Sequence, residues 1–220
     1  MYEEIKKALV EELGSQAYRT TSYKQSNVPV SVSARHVHLQ PEHVEKLFGR
    51  GYTLKKYRDI SQPGQYACEE KVTIAGLKGS IENVRILGPT RKETQVEVSR
   101  TDSRTLGVTP PVRRSGDISN SAPIRLIGPK GTVRLTEGCI IADRHIHMSP
   151  SEAHAFGVEN LQKVSVVVEG EKGGVMNNVT IRVNERYVLD MHIDTDDANA
   201  FGLIGGEVLK IVSSSHNGGL

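Results

Sequence analysis

Apolar residues alternate with polar ones along most of the chain, in short runs that predict β-strands. Val28, Val30 and Val32 begin the pattern, and similar runs rich in valine and isoleucine recur as far as residue 212. Glycine, proline, asparagine and aspartate separate the runs, and glycine makes up 21 of the 220 residues. Many short strands joined by glycine-rich turns favour small barrels or sandwiches. The further predicted strands span residues 71–74, 81–87, 94–98, 124–126, 132–135, 138–141, 164–169, 175–183, 187–193 and 207–212.

Helical periodicity is limited to a few short segments, the first of which lies at the amino terminus. Residues 2–13 carry an apolar stripe opposite charged residues, and the polar residues 15–27 that follow Gly14 indicate a linker. An isolated helix of this length is marginal in water. We therefore expect it to dock on its own protein, on a partner subunit or on a separate protein.

Three short helices are predicted inside the chain, at residues 41–48, 149–156 and 195–201. Residues 149–152 (Ser-Pro-Ser-Glu) form a capping box with proline at the first helical position. Each helix ends in a Phe-Gly pair, and a glycine just past a helix often adopts the left-handed conformation that ends it. A unit of strand, histidine, capped helix and Phe-Gly is thus repeated, with a weaker third copy that starts at His192.

Two His-x-His tripeptides occur in this repeated setting, at residues 36–38 and 145–147. Side chains at positions i and i+2 of a strand point to the same face, so each pair can direct two imidazoles at one metal ion. Neutral imidazole binds zinc, copper, iron and nickel, and zinc is the first choice because the motifs contain no thiolate. Each pair needs a further ligand. His192 is a natural third ligand for one pair, and Glu97, an acid on an apolar strand, for the other.

Arg91 is a candidate for binding an oxyanion. It follows a predicted strand in the segment Gly-Pro-Thr-Arg, six residues before Glu97. A guanidinium in such a turn can hold a phosphate or carboxylate with two hydrogen bonds. The alternative is an ordinary surface salt bridge, which is the commoner role for any one arginine. No P-loop, Rossmann glycine motif or nucleophile elbow is present.

The composition excludes several classes of protein. Net charge is +2 from 28 basic and 26 acidic residues, which gives no reason to expect nucleic acid as a partner. Two cysteines are too few for a disulfide framework. No apolar run is long enough to span a membrane, and no secretory signal is recognisable. These features predict a soluble protein of the cytoplasm.

Taken together, six separated motifs resemble the phosphate propanoyltransferases, also called PduL-type phosphotransacylases. The resemblance covers about residues 28–212. The motifs are residues 33–39 (SARHVHL), 62–67 (QPGQYA), 87–98 with Arg91 and Glu97, 99–107 (SRTDSRTLG), 144–150 (RHIHMSP) and 191–196 (MHIDTD).

The resemblance implies a reversible reaction in which acyl-CoA, such as propanoyl-CoA or acetyl-CoA, and phosphate give acyl phosphate and free CoA. It implies two zinc ions, one held by His36, His38 and Glu97 and the other by His145, His147 and His192. It also implies that Arg91 holds the phosphate. The implied contacts to CoA are Val32, Ser33, Ala34, Lys78, Arg85 and Asn199.

The resemblance further implies a mainly β fold of two small β-barrels with a few short capping helices. Barrel one would combine residues 28–34 with 143–212, barrel two would contain residues 35–142, and the metal site would lie between them. A homodimer is implied as well. Residues 1–27 resemble the extensions that target family members to bacterial microcompartments through shell or core proteins, so the protein would lie in the cytoplasm or inside such a compartment.

Direct attack of phosphate on the thioester is favoured over an acyl-enzyme intermediate, because neither cysteine falls within a motif. Acylation of Glu97 is the remaining covalent route. Two other functions compete with acyl transfer. One is a metal-dependent hydrolase, since His-x-His also opens the amidohydrolase pattern, although that fold is a longer and more helical barrel. The other is a non-enzymatic, zinc-stabilised module associated with a microcompartment.

Overall fold

The computed structural model describes residues 26–212. The predicted helix at residues 2–13 and nearly all of the predicted linker at 15–27 lie outside the described residues. The described strands are β1 (Asn27–Ser33), β2 (His36–His38), β3 (Lys56–Asp59), β4 (Tyr66–Ala75), β5 (Ser80–Gly88), β6 (Gln95–Glu97), β7 (Val112–Arg113), β8 (Ala122–Ile127), β9 (Thr132–Ala142), β10 (His145–Met148), β11 (Lys163–Val168), β12 (Gly174–Val183), β13 (Asp190–Asp194) and β14 (Val208–Val212). The described helices are α1 (Pro41–Phe48), α2 (Arg100–Leu106), α3 (Pro150–Phe156) and α4 (Thr195–Phe201).

The strands form two closed barrels of six strands each. Barrel one has the order β1-β13-β10-β12-β11-β14. Barrel two has the order β4-β5-β2-β6-β9-β8, and it closes where β8 pairs with both β4 and β9. Strands β3 and β7 extend the second sheet at its edges. The prediction of a mainly β fold with two small barrels is therefore confirmed for the described residues.

The two barrels repeat the same pattern of strand pairing. In each, the His-x-His strand pairs in parallel with one neighbour and antiparallel with the other: β2 with β5 and β6, and β10 with β12 and β13. In each barrel, one strand comes from the segment that directly precedes the His-x-His strand of the other barrel. Strand β1 belongs to barrel one but leads into β2, and β9 belongs to barrel two but leads into β10. Because of this exchange, the chain crosses from one barrel to the other immediately before each histidine pair. The domain boundaries given above stay a prediction.

Each barrel encloses its own aliphatic core. Alternate residues of β1, Val28 and Val30, are buried in the core of barrel one, and Val37 at the centre of β2 is buried in that of barrel two. Because side chains alternate across a strand, the buried Val37 and Ile146 direct the histidines on either side of them away from the cores. The residues that fill the barrels thereby fix the direction of the imidazoles.

The helices cap the barrels close to these strands. Three of them occur where the sequence predicts them, at Pro41–Phe48, Pro150–Phe156 and Thr195–Phe201. The predicted capping box is present. The Ser149 hydroxyl accepts a hydrogen bond from the Glu152 backbone amide, and the Glu152 carboxylate accepts one from the Ser149 backbone amide. No helix among residues 26–212 combines the length and apolar character that a membrane crossing needs.

Some elements differ from the prediction. Helix α2, with its own capping box of Ser99 and Asp102, was not predicted, and neither were the exposed edge strand β3 and the two-residue strand β7. The predicted strand at 187–193 begins only at Asp190, because residues 184–187 form a turn closed by the Tyr187 amide and the Asn184 carbonyl.

The interpretation of His192 as the start of a third repeat is not supported by the topology. His192 lies on β13 opposite His145, as Glu97 on β6 lies opposite His36. Helix α4 follows β13 as α2 follows β6. The segment from His192 to Gly202 is therefore the second half of a two-fold repeat, and its counterpart is the segment from Glu97 to Gly107.

Candidate active site

A cavity of about 690 Å³ opens between the two barrels, and residues from both form its wall. Both His-x-His strands border it, together with β6 and β13. The exchanged strand β1 contributes the end of its run, at Ser31, Val32 and Ser33. The cavity is therefore the place where the two halves of the repeat face each other.

The first cluster of polar side chains in this cavity consists of His36, His38 and Glu97, and we call it the carboxylate cluster. His36 and His38 share a face of β2, and Glu97 is the ladder partner of His36. His36 Nε2 lies 3.4 Å from Glu97 Oε2, and one ligand atom from each of the three side chains lies within 4.8 Å of the others. All three residues are buried. The arrangement is compact enough for one metal ion.

The second cluster consists of His145, His147 and His192, and we call it the imidazole cluster. His145 and His147 share a face of β10, and His192 is the ladder partner of His145. The ring centroids of His145 and His147 lie 4.6 Å apart, and that of His192 lies 5.2 Å and 4.9 Å from them. The structure thus brings together both sets of residues that the resemblance implies as ligands, but among residues 26–212 only the carboxylate cluster has one ligand atom from each side chain within 4.8 Å of the others. Their role as metal ligands stays a prediction.

An equivalent arginine–aspartate ion pair lies next to each cluster. Arg35, just before the first His pair, forms a 2.8 Å ion pair with Asp102 at the start of α2. Arg144, just before the second pair, forms a 2.8 Å ion pair with Asp197 at the start of α4. Each helix start is thereby tied to the strand that carries two of the histidines. These contacts account for the arginine in each motif without a ligand.

The ring nitrogens of the histidines fit the binding of a metal at each cluster. His36 Nδ1 lies 2.9 Å from the Ala34 carbonyl and His145 Nδ1 lies 2.8 Å from the Asp143 carbonyl. A carbonyl can only accept, so each ring donates from Nδ1, and in the neutral ring the Nε2 lone pair remains for a metal ion. Among residues 26–212, the buried Nδ1 atoms of His38 and His147 have no hydrogen-bond partner. Buried nitrogens left in this way are ones that a metal ion would satisfy.

The electrostatics of the two clusters differ. Burial opposes charge on His36 and on Glu97, but their mutual attraction outweighs it, so the pKa of His36 is raised and that of Glu97 lies well below its usual value. Burial, and then repulsion from His192, lowers the pKa of His145 to about 3. Burial, and then repulsion from His145, lowers the pKa of His147 to about 2. The imidazole cluster is therefore held neutral, which is the state that ligates metals.

Arg91 faces the same cavity from the loop after β5. Its backbone amide donates a 2.9 Å hydrogen bond to the Leu39 carbonyl, which fixes the loop against the end of β2. Its guanidinium is half-buried, lines the cavity and donates to Ser115 Oγ at 3.1 Å. Burial lowers its pKa, but a guanidinium stays charged in proteins. A positive group thus acts on His36 and His38 of the carboxylate cluster and lines the cavity that both clusters share, as an oxyanion site requires.

Several residues of the site were not predicted from the sequence. Ser115 lines the cavity, and both Ser115 and Gln95 donate hydrogen bonds to the same oxygen of Glu97, Oε1. Arg182, the ladder partner of His147, lines the cavity with Tyr187, whose ring centroid lies 4.1 Å from that of His147. Gln95 could have been found, because it shares the face of Glu97 two residues along the strand. Ser115 carries no comparable signal, since its loop reaches the site only through the fold.

The residues predicted to contact CoA fall into two groups. Val32, Ser33, Ala34 and Arg85 line the cavity. Arg85 donates hydrogen bonds to the Cys68 and Glu69 carbonyls at 2.7 and 3.0 Å. Lys78 is exposed at the turn between β4 and β5, and Asn199 is exposed on α4. The last two lie outside the cavity wall, and all six stay predictions as CoA contacts.

The fold and the site define a protein of two interleaved barrels with a shared cavity, lined by one candidate metal-binding cluster and by a second cluster of three histidines. The sequence model of one family, phosphate propanoyltransferase, matches residues 29–204 of the chain. A phosphate propanoyltransferase of Lachnoclostridium phytofermentans is 56% identical over 186 residues, which cover 84% of this chain and 87% of the relative. One of Priestia megaterium is 56% identical over 198 residues, covering 90% of each chain. One of Thermotoga maritima is 52% identical over 190 residues, covering 86% of this chain and 90% of the relative.

The chain belongs to the phosphate propanoyltransferase family. The family model and these relatives cover most of its length, and they confirm the resemblance seen in the motifs. The protein is therefore an enzyme of the acyltransferase class, and a purely structural or docking role is no longer a competing interpretation.

Proposed function

We propose that this enzyme transfers an acyl group reversibly between coenzyme A and inorganic phosphate, with propanoyl-CoA or acetyl-CoA as the acyl donor. The observation that carries the proposal is the shared cavity, which is lined by Arg91, by the carboxylate cluster and by the imidazole cluster. A reaction between a phosphate and a thioester needs a cation to hold the anionic nucleophile and a polar site for the thioester carbonyl. The family name supports the same reaction for this chain.

The nucleophile is the phosphate itself. Arg91 orients it by hydrogen bonds from the guanidinium, which removes translational freedom before the attack. One phosphate oxygen bonds to the carbonyl carbon, the carbon–sulfur bond breaks, and the thiolate leaves. The proton of the hydrogen phosphate ends on the sulfur, so acyl-CoA and phosphate give acyl phosphate and CoA thiol.

We propose two zinc ions as the metals of the site. His36, His38 and Glu97 would hold one ion, and His145, His147 and His192 the other. Zinc suits a ligand set of imidazoles and one carboxylate without thiolate. When bound, such ions polarise the thioester carbonyl and stabilise the departing thiolate.

Direct transfer is favoured over an acyl-enzyme because no side chain of the described site is a ready nucleophile. Burial raises the pKa of Cys68 to about 11 and that of Cys139 to about 12, so neither provides a thiolate near neutral pH. Glu97 Oε1 accepts two hydrogen bonds, which lower its nucleophilicity. Ping-pong kinetics, in which CoA leaves before phosphate binds, would contradict direct transfer.

The acyl-CoA is proposed to enter along the exchanged strand β1. Val32, Ser33, Ala34 and Arg85 line the cavity, and the Arg85 guanidinium would meet an anionic part of CoA. Lys78 and Asn199 would contact the outer part of the cofactor, since both are exposed.

A single assay separates the proposed reaction from the competing one. CoA release from propanoyl-CoA is measured with and without inorganic phosphate, and the acid product is identified. The proposal expects release that depends on phosphate and yields acyl phosphate. A metal-dependent hydrolase would release CoA and free acid without phosphate, and that result would overturn the proposal. Full activity after chelation and removal of metals would contradict the proposed zinc sites but not the proposed reaction.

The proposed assembly and location rest on the family resemblance. We propose that the enzyme is a homodimer and that residues 1–27 contact shell or core proteins of a microcompartment. Residues 1–27 fused to a fluorescent protein should enter compartments in cells that make them. A scrambled sequence of the same composition is the control, and diffuse fluorescence from both fusions would contradict the targeting role.

A further inference from the structure

Glu97 is held by two hydrogen-bond donors at one of its two carboxylate oxygens. Its Oε1 accepts from Gln95 Nε2 at 2.6 Å and from Ser115 Oγ at 2.7 Å. Its Oε2 lies 3.4 Å from His36 Nε2. The two oxygens therefore have different surroundings, and only Oε2 is available to the centre of the carboxylate cluster.

The hydrogen bonds of Ser115 have a fixed direction. Its hydroxyl has one proton and two lone pairs. Arg91 NH1 at 3.1 Å and Gln95 Nε2 at 2.9 Å can only donate to it, so both lone pairs are used. The single proton must then go to Glu97, which can only accept.

The amide of Gln95 is oriented in the same network. Its Oε1 accepts from the Gly116 amide at 2.7 Å, so its Nε2 must face Ser115 and Glu97. Ser115 and Gly116 belong to the loop that follows β7, while Gln95 and Glu97 lie on β6. Ser115 thus joins this loop to β6, and the same side chain accepts a hydrogen bond from Arg91.

We propose that Ser115 is a positioning residue, which aims Glu97 Oε2 into the carboxylate cluster and at the same time fixes one NH of Arg91. The hydroxyl is the only direct link between the predicted metal ligand and the predicted phosphate-binding guanidinium among the hydrogen bonds of residues 26–212. The proposal rests on the proposed function for the role of Arg91. It goes further because it makes metal affinity and phosphate affinity depend on one neutral side chain.

The test is Ser115→Ala, with Ser115→Thr as the conservative variant and Ser119→Ala as the control. Ser119 is exposed on the same loop and forms no side-chain hydrogen bond among the described residues. Loss of a partner that orients a metal ligand typically weakens metal binding about 10- to 100-fold. We expect Ser115→Ala to weaken one of two metal equivalents by that amount in competition with a chromogenic chelator, and Ser115→Thr to restore it.

The kinetic readout is the split between the two substrates. Ser115→Ala should raise the phosphate KM about 10-fold, as expected for a loosened charged hydrogen bond, and leave the acyl-CoA KM within about twofold. If the alanine variant does not fold, Ser115→Cys keeps the volume and replaces the hydroxyl by a weaker donor. Metal affinity and phosphate KM both within about twofold of the unmodified enzyme would overturn the proposal, and so would equal loss of both metal equivalents with a lowered Tm.

The metal competition needs no turnover, so the inference can be judged even if the proposed reaction fails. An enzyme without phosphate-dependent CoA release would remove the proposed function. Weakened metal binding in Ser115→Ala would still support the positioning of Glu97. Unchanged metal binding would refute it separately.

Discussion

The carboxylate cluster and the imidazole cluster are built on the same strands of the repeat, yet they distribute charge differently. In each, the first histidine faces the third group across an antiparallel ladder. That third group is Glu97 in one and His192 in the other. Two residues earlier on the same strands, Gln95 in the first corresponds to Asp190 in the second. The repeat therefore conserves backbone geometry while the carboxylate moves by two positions.

The position of the carboxylate determines what it can do. Glu97 Oε2 lies 3.4 Å from Nε2 of its ladder partner His36, whereas Asp190 Oδ2 lies 3.3 Å from Nε2 of His192 on its own strand and accepts a hydrogen bond from Ser31 Oγ at 2.9 Å. Under the proposed metal sites, Glu97 would be a ligand and Asp190 would lie beside one. A metal held by three neutral imidazoles keeps more of its charge than one that also has a carboxylate ligand. If both proposed ions bind, the one in the imidazole cluster would therefore be the stronger Lewis acid.

The largest effect should come from removing one imidazole of either cluster. His145→Ala and His36→Ala should each lose one of two metal equivalents and lower activity by more than about 100-fold, because even outer partners of metal ligands are worth about 10- to 100-fold. Metal content by elemental analysis and phosphate-dependent CoA release are the measurements. His154→Ala, which changes an exposed histidine on α3, is the control.

The same pair of variants can break the comparison. Two separate clusters predict that His145→Ala keeps the metal of the carboxylate cluster and that His36→Ala keeps the metal of the imidazole cluster. Loss of both equivalents from either variant would show that the clusters form one interdependent site. Retention of both equivalents would mean that the altered histidine is not a ligand.

The next effect distinguishes a carboxylate that is proposed to bind a metal from one that is proposed to lie beside a metal ligand. Glu97→Gln keeps the shape of the side chain and removes its charge, so metal affinity at the carboxylate cluster should fall by more than about 100-fold. Asp190→Asn should weaken the imidazole cluster by about 10- to 100-fold. Chelator competition measures both, and Glu171→Gln, at an exposed position, is the control. Equal effects of the two substitutions would mean that both carboxylates act at the same distance from a metal.

The sequence predicted the parts of these clusters that rest on local spacing. The i, i+2 rule places His36 with His38 and His145 with His147 on one face, and the structure has both pairs so arranged. The short strands and three of the helices follow from local pattern as well. Which third residue joins which pair followed from the family resemblance, because the residues alone left it open.

Other parts of the site depend on contacts between distant segments. Ser115 reaches Glu97 only because the loop after β7 packs beside β6, and no periodicity marks that contact. Helix α2 was missed although its capping box of Ser99 and Asp102 is visible, because its polar sequence has no apolar stripe. The exchange of β1 and β9 between barrels is set by the strand pairing, which a single-sequence pattern does not contain.

A smaller effect concerns the two arginines of the cavity. Arg91→Ala should raise the phosphate KM about 10- to 100-fold, since a hydrogen bond to a charged group contributes about 1.5–3 kcal/mol, with metal content unchanged. Arg182→Ala provides the matching test on barrel one, where Arg182 lies opposite His147. Steady-state kinetics with varied phosphate measures both, and the exposed Arg186→Ala is the control.

The outcome for Arg182 sharpens the comparison between the barrels. A larger rise in the phosphate KM for Arg91→Ala than for Arg182→Ala would place phosphate nearer to the carboxylate cluster. The reverse order would place it nearer to the imidazole cluster. Loss of bound metal from Arg91→Ala would show that the arginine supports the fold of the site and would contradict its role as a phosphate ligand.

The smallest effect is the pH dependence of stability in the metal-free protein. His145 and His147 have pKa values lowered to about 3 and about 2, and the pKa values of His38 and His192 are also lowered, with burial as the main cause in each. The unfolded chain therefore binds more protons than the native state below the ordinary histidine pKa of about 6.5. The free energy of unfolding should fall as the pH is lowered from about 7.5 toward 5.

His36 acts in the opposite direction. Its raised pKa contributes stability that is present below about 6.5 and is lost as the pH rises through the native value. Among the described histidines one pKa is raised and five are lowered, that of His43 included. Three of the five lowered groups belong to the imidazole cluster, which should therefore determine the net slope. Urea unfolding of the chelated protein at pH 7.5, 6 and 5 measures it. Glu97→Gln should steepen the decline because the attraction that favours the charge on His36 is removed, and His147→Gln should flatten it. A slope that responds to Glu97→Gln but not to His147→Gln would mean that the carboxylate cluster controls the acid sensitivity.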